Sequence, residues 1–255
     1  MNMAPLRMAA LTMICALTLA GISCNRGKAP GKAMPPEHVK AAEAYKKSVE
    51  EAKKITVAKV NGVSISMRDL IDEMNVIAPQ FIKPGQKKDQ DTDEKVRKEA
   101  LDRLIYRELA VQAAQRQGLK VPPERIADSL KKIRANLKTE NAYKEKLDKS
   151  GITEEDLKKQ LERNMLVEMI TEKEIFGKVT IDPKQVEKVY AKEKASYKGP
   201  SGKQMSLEEA RPLIEEKLMR PAVNKREDEW VEQMQKAAKI EITLDKSAKE
   251  IHAVR

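Results

Sequence analysis

Large rings are scarce in this chain, with two Phe, one Trp and five Tyr in 255 residues. A wide β-sandwich draws much of its buried surface from such rings, so the core has to come from Leu, Ile, Val, Met and Ala, which suits helices packed side by side. The same scarcity removes the stacking platforms that bind single-stranded nucleic acid, although 50 Lys and Arg face 40 Asp and Glu. Histidine is scarcer still. His38 and His252 stand far apart and only two Cys are present, so no cluster has metal-ligand spacing, and neither a metal nor another cofactor is expected. No G-x-S-x-G, P-loop or dinucleotide fingerprint occurs. The paired acids Glu154-Glu155 and Glu215-Glu216 fall on exposed helix faces or first turns, where solvation and the helix dipole account for them.

Long apolar runs are also missing. The opening "MNMAPLRMAALTMICALTLAGISC" has one cation, Arg7, and an uncharged run from Met8 to Ser23, shorter than the roughly 20 apolar residues that span a bilayer comfortably. This is the layout of a secretory signal over residues 1–23. It also resembles a bacterial lipoprotein signal, with Gly21 at the place where Leu is more usual, and implies lipidation of Cys24. Cys15 lies inside the signal, so Cys24 would be the one Cys of the mature chain and no internal disulfide is expected. The alternative is an ordinary exported protein with Cys24 unmodified. Loss of Arg7 leaves 49 basic against 40 acidic residues, a formal +9. That balance suits an anionic membrane surface or acidic clients, or is a solvated Lys-rich exterior. No nucleic-acid partner is expected of an exported chain.

The mature chain reads as mainly α. Residues 24–54 combine a Gly/Pro/Lys tether with a helix from 37, whose narrow stripe of Val39, Ala42, Tyr45 and Val49 predicts a solvated or loosely docked element. Alternation at Ile55, Val57 and Val60, then Asn61-Gly62, predicts a hairpin, with Ser66 capping a helix that starts at Met67. Residues 93–117 carry the clearest stripe: Val96, Ala100, Leu101, Leu104, Ile105, Leu109 and Val111. Helices follow from Pro122-Pro123 to about 138, over 140–149, and from the Thr153/Asp156 cap to Gly177, with "KVTI" at 178–181 as an extended piece. Asp182-Pro183 opens another helix. Ser206 and Glu209 form a capping box for the last, in which Pro212 and Pro221 predict a kink or break near Pro221. The closing "IEITL" is a strand expected to pair with 57–60.

The stretches "VAKVNGVSISMRDL", "ALDRLIYRELAVQAAQRQGLKVPPERI", "LDKSGITEEDLKKQLERNMLVEMI", "VTIDPKQVEKVYAKEKASY" and "AAKIEI", in this order and spacing, resemble the SurA, PrsA and PpiC-type chaperones. The resemblance implies a SurA-like helical chaperone module with a small β element pairing N- and C-terminal strands. Residues 55–198 would form its N-terminal segment and 206–244 its completing segment, ahead of a polar tail at 245–255. Family members carry parvulin-type prolyl isomerase domains between the two segments. Here residues 199–205, inside "YKGPSGKQMS", stand at that place, and a domain needs on the order of a hundred residues. A parvulin site resembles a His pair with other polar and shielding residues, and neither His of this chain sits in such a motif. No catalytic residue and no isomerase activity are expected.

Eight Met remain beyond the signal, and flexible thioethers suit a surface that adapts to many sequences. Met165, Met169, Met219, Trp230 and Met234 are therefore candidate client-binding residues as a region, although any single Met is more often core filling. The function expected is a periplasmic, lipid-anchored, ATP-independent holdase for unfolded envelope or outer-membrane proteins. Asn25 after Cys24, in place of an Asp, points to the outer membrane. An adaptor lipoprotein holding one dedicated partner is the alternative, and a prolyl isomerase the third reading.

Overall fold

The computed structural model describes residues 36–82, 89–137 and 139–244. The expected signal, Cys24, the expected tether up to residue 35 and the tail from 245 lie outside the described residues. The described chain divides into two compact units, one made of residues 36–167 with 237–244, the other of residues 168–236.

The first unit opens with helix α1 (Pro36–Lys54), then strands β1 (Thr56–Val60) and β2 (Val63–Ser66). Asn61 at φ 51° and Gly62 at φ 86° make the turn between the strands, a conformation that Asn and Gly tolerate best. Ser66 accepts a bond from the Asp69 amide and the Asp69 carboxylate accepts one from the Ser66 amide, which starts α2 (Met67–Phe81). Helix α3 (Gln90–Arg116), capped by Asp89, packs on α2 and on β1. Its whole expected stripe is buried, and between Leu104 and Ala114 burial extends to nearly every side. Helices α4 (Pro123–Asn136) and α5 (Glu140–Ser150) and the first turns of α6 (Glu154–Glu174) share a separate core of Leu130, Tyr143, Leu157 and Leu161.

The unit is closed by β3 (Ile240–Ile242), which pairs antiparallel with β1 so that the sheet order is β2-β1-β3. The expected pairing of N- and C-terminal strands is present, with Val60 opposite Ile240 and Ala58 opposite Ile242. Asn61 fastens it. Its amide N–H donates to the Lys239 carbonyl at 2.8 Å, and the Lys239 N–H donates to its Oδ1 at 2.8 Å. Its Nδ2 donates to Gln112 on α3 at 2.7 Å.

The end of α1 is docked rather than solvated. Val49 and Ala52 are buried, and Val49 seats against Gly151, where a Cβ would meet Val49 Cγ1 at 3.2 Å. Gly151 also ends α5 at φ 64°, so the turn needs glycine for both reasons. Arg68 completes the joint by donating to Asp72 at 2.7 Å, the Tyr45 hydroxyl at 3.3 Å and the Ser150 carbonyl at 3.1 Å.

In the second unit α6 ends in a 3-10 turn at Phe176–Lys178, followed by α7 (Pro183–Glu193) and α8 (Leu207–Lys236). Lys178 belongs to the 3-10 turn, Val179 after it is extended as expected, and residues 179–181 pair with no strand among the described residues. Helices α7 and α8 pack through Val186, Ala210 and Ile214, with Val189, Tyr190 and Leu218 around them. Helix α8 runs unbroken through Pro212 and Pro221. Each proline removes one backbone bond at a cost of about 3 kcal/mol, and the buried side chains on both sides, Ala210 and Ile214, then Val223 and Trp230, hold the helix across those losses.

Candidate functional site

The stretch at 197–205, expected to stand where family members carry an inserted domain, is closed on itself. Lys198 and Gln204 form an antiparallel bridge, the Gly199 amide donates to the Lys203 carbonyl at 2.9 Å, and the Met205 amide donates to the Tyr197 carbonyl at 3.0 Å. Gly202 takes φ 74° at the tip. Tyr190 donates its hydroxyl to the Met205 carbonyl at 2.6 Å and stacks on Tyr197 with ring centres 6.2 Å apart, and Gln204 caps the Lys194 carbonyl. These bonds tie the loop to the end of α7, so α7 passes to α8 through a short hairpin.

Of the five candidate client-binding residues, Met165, Trp230 and Met234 are buried, Met169 is half-buried and Met219 is 39% exposed. Trp230 and Met234 lie one turn apart on α8, whereas Met219 stands about 16 Å up the same helix. Met165 and Met169 are likewise one turn apart on α6. Only Met169 and Met219 offer much side chain to solvent. Cys24 lies outside the described residues.

The exposed apolar side chains of the first unit are different ones: Tyr45, Ile55, Val63, Val76, Phe81 and Ile242. The sheet accounts for two of them. Val63, Val60 and Ile240 share one cross-strand row, and Ile65, Ala58 and Ile242 the next, on the apolar face, while the row of Ser64, Lys59 and Glu241 makes the other face polar. Val60 and Ala58 on the central strand are fully covered, but Val63 and Ile242 sit on the outer strands and stay open, with Ile55 just before β1. Neither outer edge of the sheet pairs with a further strand among the described residues. Sequence alternation marks these residues as apolar-face positions, and the signal that would have found them is strand order, which alternation does not carry.

Next to this apolar rim is a buried polar chain. Glu108, 4% exposed, accepts from Arg163 at 2.5 Å and from Gln112 at 2.7 Å, and Gln112 also donates to the Val60 carbonyl at 3.0 Å. Glu73, likewise buried, pairs with Arg107 at 2.9 Å. An open cleft of about 220 Å³ has Lys53, Arg68, Asp69, Asp72 and Asp156 among its lining. Asp69 and Asp156 are engaged there as helix caps, and Asp72 holds Arg68. Burial pushes the Asp72 carboxyl above its usual range against the pull of Arg68. The carboxylates of the cleft are thus bound into the fold, and its volume falls below that of common small-molecule pockets. In the second unit Glu227, 3% exposed, stands apart from these networks. Burial, helped by the adjoining Asp228 charge, pushes it up to about 7. Among the described residues no group of three or more metal-ligating side chains converges, and no helix is long and apolar enough to cross a membrane.

Residues 41–171 match the SurA-like N-terminal domain family. A protein of Alcanivorax borkumensis named Chaperone SurA is 27% identical over 156 residues, which cover 61% of this chain and 34% of that protein. The aligned part therefore spans about a third of the relative's length. The family match takes in the docked end of α1, the hairpin, α2 to α5 and most of α6, which carry Ile55, Val63 and the polar chain, while β3 with Ile242 lies beyond it. By its sequence over half the chain, this protein belongs to the SurA-like N-terminal domain family.

Proposed function

We propose that this protein is a periplasmic chaperone that holds unfolded envelope proteins, outer-membrane proteins among them, without ATP and without isomerase chemistry. The observation that carries the reading is the open apolar side chains Ile55, Val63 and Ile242 beside unpaired strand edges, the first two within the part of the chain that matches the SurA-like family and Ile242 on the C-terminal strand that completes the sheet. Extended apolar segments are what such a surface recognises. The rim covers alternate side chains, and an outer strand can pair with the client backbone. The contacts are shallow, which lets a client leave as it folds. The relative's name, Chaperone SurA, supports the same class. Anchoring through a lipidated Cys24, with the outer membrane as its address, belongs to this proposal and is supported by the order of Arg7, the uncharged run and Cys24. The absence of isomerase activity is supported by the closed hairpin at 198–204.

The test is aggregation suppression by the full chain carrying Cys24→Ser, with a denatured outer-membrane protein and an unrelated denatured protein as clients. Near-stoichiometric suppression of both is expected, with loss of most of it in the Val63→Asp/Ile242→Asp double variant. Suppression of neither would reject the holdase and favour the adaptor with one folded partner. Acceleration of a proline-limited refolding reaction would overturn the non-enzymatic reading.

A further inference from the structure

The stretch from Lys178 to Lys203 carries seven Lys and no Arg, with Asp182, Glu187 and Glu193 as its acids. Two of those acids are occupied within the fold. Asp182 caps α7 by accepting from the Lys184 amide, and Glu193 accepts from Lys217 at 2.5 Å and from the Tyr197 hydroxyl at 3.2 Å. On α7, Val186 is fully buried against α8, and Lys184, Lys188 and Lys192 follow at four-residue spacing on the opposite side, all exposed. Lys198 and Lys203 stand exposed on the short hairpin that follows. These five ammonium groups form no ion pair among the described residues, whereas lysines on α5 and α8 do, as Lys149 with Glu145 and Lys236 with Glu232 show.

We infer that this lysine face of α7 and its hairpin docks on an anionic, phosphate-bearing lipid surface. Charge complementarity selects the occupant. Protein interfaces are depleted of Lys and rely on buried aromatic or aliphatic anchors, and none of the large exposed apolar side chains lies on this face: Leu213 and Met219, the exposed ones of this unit, are on α8. A lipid headgroup layer needs no such anchor, because it attracts each nearby Lys as a point charge, and the attraction falls off within a Debye length. The inference is independent of the holdase reading and would survive its failure.

The test is co-sedimentation of the full chain carrying Cys24→Ser with vesicles of pure phosphatidylcholine and of phosphatidylcholine with phosphatidylglycerol, at low and physiological salt. Binding to the anionic vesicles alone, weakened by salt, is expected. Lys184→Gln/Lys188→Gln/Lys192→Gln should reduce it about ten-fold or more, while the control Lys131→Gln/Lys132→Gln/Lys144→Gln leaves it largely intact. Far-ultraviolet circular dichroism checks that both triple variants keep their helix content. No anionic preference, or equal loss in both triple variants, would overturn the inference. It also falls if the α7 variant keeps its vesicle binding but loses association with an acidic unfolded polypeptide, since the lysine face would then be a client contact.

Discussion

The two units differ in the reach of the bonds that hold them. In the first, Asn61 meets Lys239 across 178 residues and Thr243 meets Thr56 across 187, so the sheet exists only when both parts of the chain have arrived. In the second, Tyr190 reaches Met205 across 15 residues, Lys217 reaches Glu193 across 24, and Arg226 reaches Glu174 across 52. Short loops close at lower entropic cost and faster than long ones. The α7–α8 hairpin is therefore the part able to form from its own sequence, and the first unit is the part that waits for residues 237–244. The region with the open apolar rim is also the one that needs the C-terminal strand.

The sharpest way to break this contrast is to hollow out each core in turn. Leu70→Ala in the first unit and Ile214→Ala in the second, both at fully buried positions, should each cost about 2–5 kcal/mol. Hydrogen exchange should show faster opening of β1, α2 and α3 in the former and of α7 with α8 in the latter. Uniform loss of protection in both variants would mean that the units unfold as one.

Glu227 gives the second unit a pH dependence. Its folded pKa, about 7, is raised above the ordinary carboxylate value, so the folded state holds an extra proton between about 4.5 and 7. The Glu227 contribution to stability then falls as pH rises through that window and levels off above it. Glu227→Gln should remove the slope and add up to about 3 kcal/mol at pH 8, read as the difference between denaturation midpoints at pH 5 and pH 8. Parallel midpoints for the two proteins would refute it.

A smaller effect tests the long-range fastening. Asn61→Ala loses the bonds to the Lys239 amide and to Gln112 and places a Cβ-bearing, non-bonding residue at positive φ, for about 1–2 kcal/mol. Asn61→Gly, which keeps the turn but not the side-chain bonds, should cost less, and in both variants the Lys239 amide should exchange faster. The smallest effect should be equal in the two units. Ser66→Ala and Ser206→Ala each remove a helix cap and should cost about 1 kcal/mol apiece, because a cap acts within its own first turn. A much larger loss at Ser66 would show that the cap also supports the sheet next to it.

Local features of the fold were legible wherever their chemistry was local. Ser66 with Asp69, Thr153 with Asp156 and Ser206 with Glu209 all cap helices, and Asn61-Gly62 makes its turn. The α3 stripe is buried in full. Helix α8 went against its prolines, because buried neighbours on both sides offset two missing bonds. The end of α1 is docked more firmly than its narrow stripe implied, because Gly151, a hundred residues on, provides a seat for Val49. Among the candidate residues, core filling is the commoner role for any single Met, and Met165 and Met234 are buried with Trp230, while Met169 and Met219 keep side chain in solvent.

Family membership, the mainly helical class, the caps, the hairpin and the absence of room for a domain at 199–205 were decided by the sequence alone, since each depends on residues close together or on their order. Tertiary structure decided which apolar residues remain in solvent. Val60 and Val63 are alike in the sequence, yet Val60 on the central strand is sealed and Val63, beside the turn at the end of β2, is open. The same holds for charge. Glu108 and Glu187 are both helix glutamates, but only the fold brings Arg163 and Gln112 to the first and leaves the second on a face of lysines. Burial and pairing are properties of neighbours that the chain meets only after it has closed.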